Sequence, residues 1–242
     1  MQRETPFPSS ESLGVERIVH FDSVGSTMDE AHRLAEGGAP GGTVVIADAQ
    51  SAGRGRGGNT WDSQHRGLWM TLLERPQSSA MLEVLSLRVG LVIAKALEEL
   101  DPDGAQFLLK WPNDVFKGRG KVAGILVEAR WREQSLEWIA IGVGINLSVP
   151  DNVLSAALSA NVSRSELLEH IVPAIRRAVV AQSALTESEL AEWMRRDLAG
   201  GRMVVAPAVG IARGITASGA LVVELRDGER VECRSGSLVF AE

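Results

Sequence analysis

Two arginines stand between glycines in one polar loop, a pattern suited to binding an anion. The loop runs Gln50-Ser-Ala-Gly-Arg-Gly-Arg-Gly-Gly-Asn-Thr-Trp61, so that Arg54 and Arg56 are each flanked by glycine. Glycine lets backbone N–H groups approach an anion closely, and a planar guanidinium fits a carboxylate or phosphate with two hydrogen bonds. A mobile solvated loop and an Arg-Gly-Gly contact to RNA are the alternative interpretations. The acidic balance of the chain and the absence of repeated Arg-Gly-Gly units disfavour RNA.

Three further motifs combine polar side chains or glycines with strand ends. Lys110-Trp-Pro-Asn-Asp114 presents a carboxylate and an amide suited to Mg²⁺ or ribose, although an ordinary turn has the same composition. Lys121-Val-Ala-Gly-Ile-Leu-Val-Glu128 begins an apolar strand with a lysine, which could also be a plain surface residue. Gly142-Val-Gly-Ile-Asn146 places two glycines inside a strand, where they often mark close approach by a ligand or neighbour. The sequence contains no phosphate-binding Gly-x-x-x-x-Gly-Lys-Ser/Thr motif and no His-Glu-x-x-His motif.

Alternating strands and helices must position these motifs. Apolar patterning predicts strands over 15–21, 42–47, 68–73, 106–111, 121–130 and 137–147, and helices over 28–36 and 82–100. Capping boxes at Ser163-x-x-Glu166 and Thr186-x-x-Glu189 predict two more helices. The second of these is expected to continue to Gly200-Gly201 and to present one apolar face, formed by Leu190, Trp193, Met194 and Leu198.

The pattern changes after Arg202, where only short strand-like runs remain. Ser218-Gly219 and Asp227-Gly228 are typical of hairpin turns, and the segment predicts a small all-β barrel. We therefore expect a flexible tail over 1–14, a ligand-binding α/β domain over 15–200 and a second domain over 201–242.

Composition narrows the class of protein. The 242 residues carry 25 basic and 31 acidic side chains, a net charge of −6 that is unusual for a nucleic-acid-binding protein. The single cysteine, Cys233, excludes an intramolecular disulfide and fits a reducing compartment. The N-terminus has no apolar core of a secretory signal, and no run approaches the roughly 18 apolar residues of a membrane span. A cytoplasmic protein that binds neither DNA nor membrane is expected.

Together the motifs resemble those of the biotin protein ligases, in the same order along the chain. The family's Ser-Thr element is similar to Ser26-Thr27, and its G-R-G-R-x-G loop to Gly53 through Gly58. Its remaining three motifs, K-W-P-N-D, K-x-x-G-I-L-x-E and G-x-G-I-N, correspond to residues 110–114, 121–128 and 142–146. The C-terminal segment is similar to the family's SH3-like domain.

The resemblance implies an α/β catalytic domain like that of class II aminoacyl-tRNA synthetases, with a mixed sheet, followed by the SH3-like barrel. It implies that ATP activates biotin to biotinyl-5′-AMP with Mg²⁺, and that biotin then passes to a lysine of a biotin carboxyl carrier protein. The implied biotin-binding residues are Ser26, Thr27, Gln50, Gly53, Arg54, Gly55, Arg56, Lys121 and Gly124. The implied ATP-binding residues are Trp61, Lys110, Asn113, Asp114 and Asn146.

Lys121, Arg56 and Asp114 are the expected catalytic residues. The biotin carboxylate must meet an anionic triphosphate, and Lys121, the loop arginines and Mg²⁺ would offset the repulsion. Asp114 would assist deprotonation of the carrier lysine, or serve only Mg²⁺ or ribose.

The chain departs from the family pattern at Met28, where asparagine is common, and at Asn59, where an arginine is lost. Ser26-Thr27 lies so near the N-terminus that no DNA-binding domain is expected, which disfavours a repressor. A lipoate ligase of the same fold and a non-catalytic biotin-binding module are the alternatives. Family members occur as monomers and homodimers, and the sequence does not choose between them.

Overall fold

Seven strands build the larger sheet of the computed structural model, which describes residues 7–63, 65–101, 104–149, 155–158, 162–181 and 184–241. The strands are β1 (Arg17–Val24), β2 (Thr43–Gln50), β3 (Gly67–Glu74), β4 (Phe107–Lys110), β5 (Asp114–Lys117), β6 (Gly120–Arg132) and β7 (Ser135–Asn146). Their spatial order is β1-β2-β3-β7-β6-β5-β4. Only β1 and β2 are parallel neighbours, so the sheet is mixed, as predicted.

Helices cover both faces of this sheet. They are α1 (Ser10–Leu13), α2 (Thr27–Glu36), α3 (Leu82–Leu100), α4 (Arg164–Val179) and α5 (Glu187–Arg196). Within β2, Val44 and Ile46 share a core with residues of α3 and α4, whereas Val45 packs with Met28 and Ala31 of α2. A strand that is buried on both faces is apolar throughout instead of alternating. This explains the continuous apolar run in β2.

The long helix α3 has the bounds that the sequence predicts, because its apolar periodicity is unbroken up to Asp101. Both predicted capping boxes are present. At the start of α4 the Ser163 hydroxyl accepts the Glu166 backbone N–H, and the Glu166 carboxylate accepts the Ser163 N–H in return. Thr186 and Glu189 do the same at α5. Each box satisfies two backbone donors that a helix end otherwise leaves without partners.

Residues 7–14 of the expected flexible tail include one helical turn next to β1, and the flexibility of the tail stays a prediction. Ser9 caps the single turn of α1, and Gly14 ends it in the left-handed region with a φ of 62°. Leu13 is fully buried in the main core. This side chain packs in the core, a contact that its polar neighbours in the sequence did not indicate. Residues 1–6 of the expected tail lie outside the described residues.

Strand β5 is absent from the sequence-based prediction, which leaves the residues after Trp111 as a strand end. The four residues pair with β4 on one side and β6 on the other. Because β5 is short and contains two charged residues, local pattern alone does not reveal it; pairing on both sides stabilises it.

Helix α5 is shorter than predicted. It ends at Arg196, because Asp197 takes an extended conformation and the Leu198 N–H donates to the Leu109 carbonyl at the edge of β4. The predicted apolar face is also wrong in part. Trp193 is buried, but Met194 is 42% exposed.

The smaller sheet is antiparallel and lies wholly C-terminal to Gly201. Its strands are β8 (Met203–Ala206), β9 (Gly210–Ile215), β10 (Leu221–Glu224), β11 (Arg230–Cys233) and β12 (Val239–Phe240), in the order β11-β10-β9-β8-β12. Gly219 and Gly228, each with a φ of 86°, form the two predicted hairpin turns. The indole of Trp111 donates to the Gly219 carbonyl at 3.0 Å and so joins this sheet to the larger one.

The division into domains at residue 200 stays a prediction. None of the helices in the described part of the chain is both long enough and apolar enough to cross a membrane.

The carboxyl group of Asp197 is buried where α5 meets β4. One oxygen accepts the Ala199 N–H at 2.9 Å, and the other has no hydrogen-bond partner among the described residues. Burial raises the pKa of Asp197 to about 6, against the opposing hydrogen bonds from the Ala199 and Gly200 backbones. The folded protein therefore holds this proton more tightly than the unfolded chain does.

Asp197→Asn is expected to gain stability relative to the wild type as pH rises. The folded wild type is stabilised relative to its unfolded state while the Asp197 carboxyl is protonated. It loses this stabilisation as pH rises from about 4 through 6. The asparagine stays neutral throughout. Between pH 5 and pH 8 the difference in free energy of unfolding should shift by about 1–2 kcal/mol towards the variant. Urea denaturation at both pH values measures this. Asp22→Asn, at an exposed position, is the control, and a difference independent of pH would contradict the prediction.

Candidate active site

An inner cavity of about 50 Å³ opens between α2 and the strands β2, β3, β6 and β7. The sequence-predicted site residues around it are Ser26, Thr27, Gln50, Arg54, Gly55, Arg56, Trp61, Asn113, Lys121 and Gly124. Gly53 lies behind the wall, where an added Cβ would be 2.5 Å from the Trp61 carbonyl oxygen. Motifs that are far apart in sequence therefore meet at one site.

A wider second cavity adjoins the first and reaches the smaller sheet. Trp61 and Lys121 line both cavities. The other predicted residues in the second cavity are Lys110, Asp114 and Asn146. Sequence reasoning missed the remaining ones, which include Asp62, Phe116, Arg119, Arg202 and Phe240. No motif marks them, because the fold brings them together from separate strands and turns.

One end of the inner cavity is a chain of buried hydroxyl and amide groups. The Gln50 side-chain oxygen accepts the Thr27 N–H at 2.8 Å and the Thr27 hydroxyl at 3.2 Å. The Thr71 hydroxyl donates to the Thr27 oxygen at 3.0 Å. Ser26 caps α2 by accepting the Met28 N–H at 3.2 Å. Because each group is oriented by another, this end offers fixed polar contacts. Thr71 was missed, although a lone hydroxyl in the apolar strand β3 could have indicated it.

Lys121 lies where the two cavities meet. Its ammonium group is 2.7 Å from the Asp114 carboxylate and 4.9 Å from the centroid of the Trp61 ring. Pairing of β5 with β6 sets this arrangement, since Phe116 is opposite Lys121 and Asp114 is opposite Gly124. The side chain is 31% exposed, so a ligand can reach it. Lys121 can therefore contact an anion that enters from either cavity.

Lys110 provides a second cation in the wider cavity. Its ammonium group lies over the rings of Phe116 and Phe240, at 5.9 and 5.5 Å from their centroids. Burial lowers the pKa of Lys110; the charge of Asp114 opposes this, and Lys121 and Arg202 add to it. An anionic ligand placed here would favour the protonated lysine. The site thus has positive charge that its own carboxylates only partly balance.

Trp61 forms the wall between the cavities because two strand glycines leave room for its ring. A Cβ on Gly144 would be 2.6 Å from Cε2 of the indole, and one on Gly124 would be 2.6 Å from its Cζ3. At Gly142 an added Cβ would be 2.8 Å from the end of Met28. The close approach predicted at the glycines of β7 is confirmed, and the approaching groups are side chains of the protein itself. The buried indole N–H of Trp61 has no hydrogen-bond partner among the described residues.

The Arg/Gly loop forms a tight hairpin beside the inner cavity. The Gly55 N–H donates to the Asn59 carbonyl at 2.7 Å, and Gly57 and Gly58 have φ values of 68° and 80°. Arg56 donates to the carbonyl of Gly236, between β11 and β12 of the smaller sheet, at 2.5 Å. Arg54 contacts two carboxylates. The predicted contacts of both arginines with an anionic ligand stay predictions.

Asn113 and Asn146 support the backbone of β6. The Asn113 side chain donates to the Ile125 carbonyl at 2.7 Å. The Asn146 side chain donates to the Lys121 carbonyl at 3.2 Å and shares a 3.0 Å hydrogen bond with His65. Their predicted contacts with a nucleotide stay untested, but both positions help to place Lys121.

Two parts of the chain match described families. Residues 21–146 match the Biotin/lipoate A/B protein ligase family, and residues 205–240 match the Biotin protein ligase C terminal domain. A Biotin--[acetyl-CoA-carboxylase] ligase of Paracoccus denitrificans is 31% identical over 225 residues, which are 85% of this chain and 93% of the relative. The Bifunctional ligase/repressor BirA of Bacillus subtilis is 35% identical over 170 residues, which are 65% of this chain. That match spans 52% of the relative, so the chain corresponds to about half of its length.

A solved structure has the same architecture. The biotin protein ligase from Aquifex aeolicus in complex with biotin and ATP superposes with a TM-score of 0.76 and 27% identity. The similarity covers 93% of this chain and 99% of that protein, and so includes both sheets.

Proposed function

The chain belongs to the Biotin/lipoate A/B protein ligase family, and from this we propose that it joins biotin to the AMP portion of ATP and then passes biotin to a protein lysine. The first step gives biotinyl-5′-AMP and pyrophosphate. The second gives biotinylated carrier protein and AMP. The single observation that carries the proposal is Lys121, which lies at the junction of two cavities with its ammonium group beside Asp114.

The inner cavity suits the biotin ring system. Its polar end, at Thr27 and Gln50, presents hydrogen-bonding groups, and Trp69, Met70 and Leu126 add apolar wall. Small-molecule sites combine mostly apolar walls with a few fixed polar groups. The indole N–H of Trp61, which has no partner in the described part of the chain, offers one more donor to a bound ligand.

The wider cavity suits ATP. Arg119, Arg202, Lys110 and Lys121 give it four cationic side chains, and Phe116 and Phe240 offer aromatic surface. Cations next to triphosphate oxygens and rings next to a purine are the contacts that such a ligand requires. Arg202 and Phe240 belong to the C-terminal segment, so we infer that the smaller sheet takes part in nucleotide binding.

Lys121 would act when the two anions meet. A biotin carboxylate oxygen attacks the α-phosphorus, a new O–P bond forms, and pyrophosphate leaves with the electrons of the broken P–O bond. A cation between the two cavities reduces the repulsion on approach and stabilises the charge that develops on the phosphoryl oxygens. Asp114 would orient the ammonium group, which it contacts at 2.7 Å.

In the second step the carrier lysine attacks the anhydride carbonyl, and AMP leaves. The attacking amine has an ordinary pKa near ~10.4 and must first lose a proton. Asp114 lines the wider cavity, where it would either accept that proton or serve only Mg²⁺ or ribose.

The wider cavity has the carboxylates that a Mg²⁺ ion bound together with ATP would need. The ion takes one or two protein carboxylates and completes its shell with phosphate oxygens and water. Asp114 and Asp62 both line the cavity, and Asp114 is the residue that we propose to hold the ion. When bound, Mg²⁺ would neutralise charge on the phosphates.

The acceptor is proposed to be a biotin carboxyl carrier protein in the cytoplasm, because relatives carry the name biotin--[acetyl-CoA-carboxylase] ligase. Lipoate is the competing acid, since the matched family includes ligases for both. ATP–pyrophosphate exchange with biotin or lipoate, followed by transfer to a carrier fragment, tests the proposal. Exchange that depends on biotin and not on lipoate supports it. Exchange with lipoate alone, or with neither acid, contradicts it.

A further inference from the structure

The first arginine of the loop is held by two carboxylates from opposite sides. One terminal nitrogen of Arg54 donates to the Asp29 carboxylate at 2.7 Å, and the other donates to Glu128 at 2.5 Å. Asp29 lies in the first turn of α2 and Glu128 on β6. Both elements also line the inner cavity, with Thr27 and Gly124. The guanidinium therefore connects two walls of the cavity.

The charges of Arg54, Asp29 and Glu128 disfavour a role for Arg54 in neutralising a bound anion. Two carboxylates against one guanidinium leave a net charge of −1, so a further carboxylate gains little there. Lys121, in contrast, has a carboxylate contact with Asp114 and lines both cavities. The two contacts instead suit a structural role for Arg54, because each terminal nitrogen of its guanidinium is held by one carboxylate.

Glu128 is itself oriented by a chain of hydrogen bonds. The buried Trp138 indole N–H donates to Nδ1 of His32 at 3.0 Å. Because Nδ1 accepts, Nε2 carries the ring hydrogen and donates to the second oxygen of Glu128 at 2.9 Å. Glu128 thus accepts from His32 with one oxygen and from Arg54 with the other. A carboxylate meets both needs, whereas an amide has only one accepting oxygen.

We propose that Glu128 is a positioning residue that holds Arg54 across the inner cavity, and that this brace keeps the Arg/Gly loop closed over bound biotin. The inference rests on the proposed function for the identity of the ligand. Gly55 and Arg56 follow Arg54 directly and line the same cavity, so release of Arg54 opens this part of the wall. His32 acts on the loop only through Glu128.

The test compares Glu128→Gln with Glu36→Gln. Glu36 lies on α2 and pairs with Arg130 of β6 at 2.9 Å, so the control removes an ion pair between the same two elements without touching the loop. In Glu128→Gln, trypsin should cleave after Arg54 or Arg56 about fivefold faster without ligand, a size typical of partly exposed ion pairs. The KM for biotin should rise by a similar factor, while kcat and the KM for ATP should stay within about twofold. The control should match the wild type.

A conservative variant and a second contact separate positioning from folding. Glu128→Asp keeps both accepting oxygens and should restore part of the protection. Asp29→Asn releases the other, more exposed contact and should raise cleavage less. If Glu128→Gln has a lower melting temperature than the wild type, Glu128→Asp and Asp29→Asn are compared with the wild type instead. Wild-type cleavage rates in Glu128→Gln, or equal changes in Glu36→Gln, would overturn the brace. If the wild type lacks biotin-dependent exchange, the proposed function fails, while the trypsin comparison still decides on the brace.

Discussion

Replacing Lys121 with alanine is expected to lower kcat for biotin-dependent ATP–pyrophosphate exchange by about 10²–10³-fold, the usual loss when one preorganised donor is removed. The ammonium group lies at the junction of the cavities, 2.7 Å from Asp114 and over the Trp61 ring. Its charge is needed most while two anions approach each other. Without it, Asp114 would also add uncompensated negative charge beside the triphosphate.

The effect should be specific to the first step. Transfer from preformed biotinyl-5′-AMP to the carrier does not bring two anions together, so Lys121→Ala should slow it much less than it slows exchange. Lys95→Ala, on an exposed position of α3, removes a lysine far from the cavities and is the control. Equal slowing of both steps, or exchange at the wild-type rate, would count against the role that we give to Lys121.

Much of the fold follows from local pattern. Helix α3 and the capping boxes at Ser163 and Thr186 are set by residues close in sequence, and the structure has them where the sequence predicts. The hairpin turns at Gly219 and Gly228 follow for the same reason, since each requires a positive φ. The helix α1 and the strand β5 depend on distant partners, and sequence patterning missed both.

The residues of the candidate site likewise include some that the sequence predicts and others that only the fold brings there. Motif residues such as Gln50, Lys121 and Trp61 are found by their order along the chain, and the fold gathers them around two adjoining cavities. Arg202 and Phe240 line the wider cavity because the C-terminal segment comes next to Lys110 at the end of β4, whose ammonium group lies over the Phe240 ring. No spacing in the sequence encodes that proximity.

The arginine loop shows a second limit of sequence reasoning. Its glycines and arginines predict an anion-binding loop, but not which groups each guanidinium contacts. Arg54 and Glu128 are 74 positions apart in the sequence, yet their side chains share a hydrogen bond. Only the fold, which brings the loop after β2 next to β6, determines that the two side chains meet.

The second large effect is expected at Gly144, where alanine should raise the KM for both biotin and ATP. An added Cβ would lie 2.6–2.9 Å from three atoms of the Trp61 indole, closer than carbon atoms pack. The backbone of Trp61 cannot readily retreat, because its N–H donates to the Gly53 carbonyl at 2.9 Å. The ring must therefore turn into one of the two cavities that it separates.

Such overpacking costs about 1–3 kcal/mol, which corresponds to a loss of roughly 5- to 150-fold in kcat/KM. Gly142→Ala is the matched control on the same strand, since the one atom within 3 Å of its Cβ would be the end of the flexible Met28 side chain, at 2.8 Å. Steady-state kinetics with each substrate varied, together with melting temperatures, separate a displaced ring from a destabilised fold. If Gly142→Ala impairs catalysis as strongly as Gly144→Ala, the position of the indole is not what matters. If Gly144→Ala leaves both KM values unchanged, Trp61 does not form the shared wall of the two substrate sites.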